Sequence, residues 1–365
     1  MGIRVEVWSG RDGWERHWDE WEALRSADPH ATCFQSPAWL VPWARHLARG
    51  EPFALALRDP LEGDRLHTLI PLERRSIGRV RFAGSGVSDY QGSLERPGRG
   101  GATADLLQAW LATDGCWVRC LDGPQAPAEL SARAPETLGW RRIAREYCPV
   151  LALPGSIEAL AASLPRGLRK NLRTARSRLQ REGFRVECVA QETLQEFYSA
   201  LFALHGARWR SRGLPGVFGS ARVRRFHLDA GAAFLASGEL QLLALRDAAG
   251  VIRAAHLGYL FGGRCAFYAS GFDPALRALS PGGVLILSAM EAAIREGCRE
   301  FDFLRGGEAY KYRWGAENRT NVRLLWGKGF LGKGLATAAA WETVALREAA
   351  HKLGRQTPTS AESRR

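Results

Sequence analysis

The chain has 365 residues, 46% of them hydrophobic and 24% charged, and a formal net charge of +13. That length suits two ordinary domains, and so large an apolar share excludes global disorder. The positive excess points to an anionic partner (nucleic acid, a phosphate-bearing cofactor or anionic lipid) or to a bare preference for arginine over lysine.

Residues 3–7 (IRVEV) alternate like a strand. Asp12 and Glu15 form a capping-box variant, after which Trp14, Trp18, Trp21 and Leu24 recur at helical spacing, as an amphipathic helix packed on a sheet would have them. FALALR (53–58) and HTLIPLERR (67–75) read as paired strands, VRFAG (80–84) and WVRCLD (117–122) as further strands, and LLQAWLA (106–112) as a helix between them. Residues 123–140 are rich in Pro, Gly and Ala, residues 141–153 are extended again, and a domain seam is placed near 150.

The second half opens with a helix over 156–183, followed by a strand at 184–189 and helices at 193–213 and 222–238, each closed by glycine. Residues 239–274 read as three or four antiparallel strands, 280–297 as a helix, 299–304 and 322–326 as strands, 335–353 as a terminal helix and 354–365 as a disordered tail. Separate runs of helices and antiparallel strands describe an α+β fold, not a doubly wound parallel one. No repeat of 20–50 residues is visible, though the two halves carry similar inventories.

Seven scattered cysteines without a CxxC spacing fit buried, reduced thiols in a cytosolic protein, and no metal site is expected. The first 18 residues lack the apolar stretch of a secretory signal, Glu6 stands where myristoylation needs Ser or Thr, and no apolar run approaches a membrane span. The expected location is the cytoplasm.

Four stretches can carry chemistry. In residues 165–185, Leu168, Leu172, Ala175 and Leu179 share one helix face while Arg166, Arg169, Lys170, Arg173 and Arg176 line the next, a stripe suited to phosphates or simply to water. In residues 279–294 a glycine-containing turn with Arg277, Ser280 and Gly282 runs directly into a helix, whose first N–H groups and dipole attract anions. His205, Arg208, Trp209 and Arg212 share one helix face, so His205 is a candidate acid or base. In FDFLRGGEAYKYRWG (301–315) a strand breaks at Gly306-Gly307 into a cluster of charges and rings, a site or a solvated hairpin. No GxSxG elbow, HExxH or P-loop occurs, so hydrolase, zinc-protease and P-loop NTPase readings have no support.

Five segments in order, 168–183, 204–209, 256–274, 280–297 and 301–315, resemble GNAT-like acyltransferases associated with cellulose and exopolysaccharide production, relatives of the Fem-type peptidyltransferases. The resemblance implies tandem GNAT-like domains with mixed, mainly antiparallel sheets flanked by helices: a degenerate first domain over 1–150 and an acyltransferase domain over 151–334. It implies acetyl-CoA or another acyl-CoA as co-substrate, and an amine or hydroxyl acceptor on a small molecule or saccharide. The family's [RQ]xxGx[GA] phosphate turn maps here onto Arg277, Ser280, Gly282, Gly283 and Val284, with Ser280 replacing the first glycine. Fem-type relatives use aminoacyl-tRNA and typically carry a large helical arm; this sequence has no room for one, which favours acyl-CoA over tRNA.

For the mechanism the resemblance implies, Glu308, Asp302 and His205 are candidate bases, with Glu308 favoured because it follows the Gly-Gly break. Lys311 matches the lysine of the family's Tyr-Lys stretch and would neutralise phosphate or an oxyanion; Tyr310 would protonate the leaving thiolate. Arg208, Trp209, Tyr268 and Arg305 are assigned to substrate binding. Two other classes stand beside this reading: a non-catalytic accessory of the polysaccharide-synthesis machinery, and an RNA-binding module resting on the basic helix.

Overall fold

The computed structural model describes residues 5–60, 63–98, 100–127, 139–210, 213 and 216–341, with the side chains of residues 124, 127, 143–145 and 208 outside that description. Strand β1 (Val5–Ser9) leads into α1 (Gly10–Arg16) and α2 (Trp18–Ala27), so the single helix expected here is two, broken at His17. Ser9 is the N-cap and Asp12 lies inside the first turn, so the expected capping box does not form. The tryptophan pattern still does its packing work: Trp14, Trp21 and Leu24 are fully buried.

Helix α3 (Pro37–His46) has no counterpart in the sequence reading, because its two prolines mask it. Pro37 occupies the first helical position, where no N–H is needed, and the Ser36 side chain accepts from the Trp39 N–H. Pro42 sits inside the helix and costs it one internal hydrogen bond. Burial of Trp39 and Trp43 on the same element offsets that loss.

The first half continues through β2 (Glu51–Asp59), β3 (Arg65–Arg74), β4 (Arg79–Phe82), β5 (Leu94–Glu95), α4 (Ala102–Ala112), β6 (Cys120–Pro127) and β7 (Arg141–Ala152). The helix expected over 156–183 is again two, α5 (Ile157–Ser163) and α6 (Arg166–Arg181), because Pro165 cannot continue α5. Then come β8 (Arg185–Cys188), α7 (Leu194–Arg210), α8 (Ala221–Ala236), β9 (Leu240–Arg246), β10 (Ile252–Phe261), β11 (Arg264–Phe272), α9 (Pro281–Arg295), β12 (Glu300–Asp302), α10 (Ala309–Tyr312) and β13 (Glu317–Gly327). A last helix covers residues 329–341, beginning six residues before its expected start; residues 342–353 of that expected helix and the expected tail lie outside the described residues.

The fold is α+β with mixed, mainly antiparallel strand pairing, as expected, and the strands of both halves join in one sheet. Its strand order is β1-β2-β3-β4-β6-β13-β7-β12-β11-β10-β9-β8, with β5 attached to β3. Two similar motifs are visible in that order. β1-β2-β3-β4 is an antiparallel run followed by β6, parallel to β4. β8-β9-β10-β11 is an antiparallel run followed by β12, parallel to β11. Between them, β13 lies against β6 and β7 lies against β12, so each half contributes a strand beside the other's.

One apolar cluster spans both halves: Trp39 of α3 meets Phe226 of α8 at 4.8 Å and Tyr268 of β11 at 5.4 Å between ring centroids. A second cluster packs α6 and α9 on the opposite face of the second half, around Phe267, Phe301 and Phe303. Of the seven cysteines, five are buried as expected, but Cys116 and Cys188 are exposed. No helix among the described residues is long and apolar enough to cross a membrane.

Candidate functional site

Strands β11 and β12 pair in parallel over only three positions, Arg264–Glu300, Cys265–Phe301 and Ala266–Asp302. β11 then runs on to Phe272, while the chain after Asp302 turns toward β7: Phe303 N–H donates to Pro149 O, and Gly306 N–H to Tyr147 O. The two strands therefore splay apart beyond Ala266 and Asp302 and open a V-shaped cleft. Leu304 holds the departure in a left-handed conformation, φ 56°, that a branched residue rarely adopts. Asp302 fixes it, its Oδ1 accepting the Leu304 N–H at 2.7 Å.

The wall from 303 to 312 is pinned by Lys311. Its Nζ is buried and donates to the carbonyls of Leu304, Arg305 and Gly306 at 3.0–3.1 Å, and it pairs with Glu308 at 2.9 Å. The lysine is thus committed to the backbone of the cleft wall. Glu308 caps the short helix α10 with its side chain 57% exposed and turned to Lys311. Tyr310 is half-buried on α10, its ring 6.3 Å from that of Phe303, on the face shared with α9.

At the mouth of the cleft lies the N-terminus of α9. Ser280 adopts φ 51° between a tight turn (Pro274–Leu279) and the helix, and Arg277 is exposed on that turn. Ser280 N–H donates to Arg277 O, and the Gly283 and Val284 N–H groups both reach Ser280 O at 3.1 and 3.3 Å. Pro281 has no N–H, so the open donors are those of Gly282 and, in part, Gly283, a narrower cradle than residues 280–284 suggest. Val284 itself is core. Helix α6 flanks this end: a Cβ on Gly283 would sit 3.1 Å from Leu172. Arg166, Arg169, Lys170 and Arg173 are exposed along α6, which contains no acidic residue, while Arg176 is held bidentate by Glu291 at 2.9–3.0 Å.

The opposite face of the V is covered by α7, α8 and the first half. α7 lies directly on β11, which only glycine permits: a Cβ on Gly271 would sit 2.6 Å from the His205 backbone nitrogen. His205 is buried, and its Nε2 accepts the Trp209 indole N–H at 2.8 Å, which occupies the nitrogen a base would use. Beside it His227 is fully buried among Trp39, Phe218 and Tyr268, and burial pushes its pKa down to about 3, so it is neutral. The Tyr268 hydroxyl donates to Val87 O at 3.1 Å. Arg305 Nε lies 3.2 Å from Asp89 and 3.5 Å from Glu146. The Arg208 side chain and Arg212 lie outside the described residues.

Asp302 is the buried carboxylate of this face. Tyr90, on a first-half loop, donates its hydroxyl to Asp302 Oδ2 at 2.6 Å. Burial raises the Asp302 pKa to about 6 against the lowering effect of Tyr90, the Leu304 N–H and Arg319. A cavity of about 20 Å³ lined by Cys33, Tyr90, Tyr259, Ala266, Asp302 and Arg319 adjoins it. That is room for a single water. Of the residues expected at the site, the structure brings Asp302, Arg305, Tyr310, Lys311 and Glu308 together around the 303–312 wall, and puts Arg277 through Val284 across the cleft mouth. His205 and Trp209 pair with each other on α7, while Tyr268 of β11 reaches the Tyr90 loop and lies near Asp89 and Arg305. Tyr90 and Asp89 were not anticipated; their only sequence signal is an aromatic and an acid in a polar loop, SDYQGS (88–93).

Residues 166–312 match the family model described as an acetyltransferase (GNAT) domain. A search of the curated proteins finds no match. Among solved structures, FemX is similar at a TM-score of 0.62 and 13% identity, with 88% of this chain and 98% of that chain covered. L-PGS from Bacillus licheniformis is similar at 0.56 and 13%, with 93% and 97% covered. A tandem GNAT protein from the clavulanic acid biosynthesis pathway is similar at 0.50 and 13%, with 89% and 99% covered. These likenesses establish a GNAT-like fold.

Proposed function

We propose that the chain is an acyltransferase that moves an acyl group from a phosphate-bearing donor, acyl-CoA foremost, to an amine or hydroxyl. The observation that carries this is the splay of β11 from β12 beyond Ala266 and Asp302, with the α9 N-terminus and the basic face of α6 at its mouth. An extended thioester fits such a cleft, its phosphates meeting Gly282 N–H and the cations of α6. Arg277 adds an exposed charge on the same turn.

The acceptor approaches from the face covered by the first half. Its nucleophilic atom attacks the thioester carbonyl and gives its proton, through one water, to Asp302; the carbon–sulfur bond breaks and Tyr310, on the α9 face of the same wall, protonates the thiolate. Asp302 serves here better than Glu308, because its pKa of about 6 matches a base working near neutrality, whereas Glu308 is exposed and paired with Lys311. Lys311 and Glu308 hold the wall, and Arg305 and Tyr268 join it to the first half. The domain limits of 1–150 and 151–334 remain part of this proposal, with the second unit catalytic.

Thiol release from a panel of acyl-CoAs with simple amines and amino sugars as acceptors tests the reading. Gly282→Asp puts a negative charge at the phosphate position and is expected to weaken acyl-CoA binding at least ten-fold by calorimetry; undiminished affinity refutes the placement. The basic stripe of α6 favours one second reading, an aminoacyl-tRNA donor, whose binding would fall steeply with salt. Binding of neither donor, with co-purification of a polysaccharide synthase, would instead mark a non-catalytic accessory role.

A further inference from the structure

The two halves repeat each other at the strand that carries Asp302. β6 pairs with β4 as β12 pairs with β11, and the third paired position holds Asp122 in one half and Asp302 in the other. The neighbouring strands place Arg81 opposite Asp122 and Ala266 opposite Asp302. Asp122 is silenced: Arg81 Nε reaches it at 2.9 Å, and Arg323 of β13 grips both its oxygens at 2.7 and 2.8 Å. Asp302 is paired far more loosely. Ala266 brings no charge, and Arg319, the arginine that β13 supplies on this side, is engaged with Glu300 at 2.7 and 3.0 Å and makes only a long ion pair, 3.4 Å, with Asp302 Oδ2. The short partner on that oxygen is a neutral hydroxyl from the first half.

We propose that Tyr90 is a positioning residue for the proton acceptor of the second half, so that the first half supplies a working part of the site. This deepens the acyltransferase reading and rests on it. The Tyr90 loop is held from both sides. Trp39 Nε1 donates to Ser88 Oγ at 2.9 Å, Tyr268 donates to Val87 O, Asn321 Nδ2 donates to Asp89 O at 2.7 Å, and Gln91 N–H donates to Gln125 O at 2.7 Å. Held so, the hydroxyl orients Oδ2 and stabilises the ionised carboxylate without neutralising it. An arginine there would abolish its basicity, and no donor at all would leave it protonated near neutral pH. The other titratable or charged groups that face Asp302 or share its small cavity are Arg319, Arg264, Glu300, Tyr259, Cys33, Cys148 and Cys265. The thiol pKa values are all raised by burial, so Tyr90, the Leu304 N–H and Arg319 are the groups that favour the charged form, and Tyr90 is the short partner on Oδ2.

Tyr90→Phe in the full chain deletes one oxygen. Losing a hydrogen bond to a charged group should move the Asp302 midpoint up by about one pH unit. Selective ¹³C labelling of aspartate reads that midpoint directly, with Asp302→Asn to assign the resonance. The acidic limb of kcat/KM should move up with it, cutting the rate at pH 6 by about five-fold while the donor KM stays unchanged. An unmoved resonance midpoint, or a lowered Tm with an intact pH profile, overturns the proposal. If the parent chain transfers no acyl group from any thioester, the functional reading fails on its own, and the resonance midpoint alone decides whether Tyr90 governs Asp302.

Discussion

Asp302→Asn should make the protein more stable and less active, and pH should reveal why. The carboxyl titrates at about 6 in the folded chain against an ordinary value of 3.8, because burial penalises its charge. Below pH 3.8 it is protonated in both folded and unfolded states and costs nothing; above 6 it is ionised in both, and the folded state bears the full penalty. That gap is worth about 3 kcal/mol, of which about 2 kcal/mol develops between pH 4.5 and 7. Asparagine has nearly the same shape. Its oxygen can still accept from the Leu304 N–H, and its amide can donate to the Tyr90 hydroxyl. Urea denaturation of both proteins across that pH range isolates the term, since every other titrating group cancels in the difference. The variant's advantage should grow by about 2 kcal/mol as pH rises, while acyl transfer falls by about 10²-fold or more. A difference that stays flat with pH would show that Asp302 is not held against its charge, and would remove the reason for choosing it as base.

Lys311→Met should lower stability by about 3 kcal/mol, since three carbonyls of the cleft wall, that of Leu304 buried and the other two partly so, lose their donor; an unchanged denaturation midpoint with activity lost would instead put the ammonium in the reaction. Gly271→Ala forces a Cβ against the α7 backbone and should cost about 2 kcal/mol or more by chemical denaturation. Asp122→Asn leaves Arg81 and Arg323 without their carboxylate, and a loss of about 3 kcal/mol in thermal or urea unfolding is expected. Trp39→Ala, at the shared core, should cost about 4 kcal/mol and destabilise both halves in one transition; two separated transitions would contradict a common core.

Periodicity found most strands and the apolar face of α6, because those elements bury a single side and say so in their spacing. α3 stayed hidden behind Pro37 and Pro42, since its stability comes from burial of Trp39 and Trp43, which local propensity does not register. β13 was legible only over 322–326; its first residues, ENRTN, look like a loop because their partners, Glu300 and the Asp89 carbonyl, come from distant segments. The same holds for the site. Glu308 and Lys311 stood out as charges after a strand, yet their three-residue spacing pairs them with each other. Asp302 and Asp122 become recognisable as equivalents only once strand register is known, since VRCLDG and CREFDF share little beyond the aspartate.

The placement of β7 and β13 bears on how the chain can be made. β13 is the last of the described strands in chain order, and it lies between a first-half strand and β7. As the chain emerges from a ribosome, β6 therefore has an open edge for some two hundred residues, and the sheet is continuous only when residue 327 is free. Each half thus completes its sheet with a strand from the other, and a stop between β7 and β13 leaves two exposed edges, on β6 and β7, that β13 covers in the native protein. Premature termination should thus yield aggregates in place of a working first half.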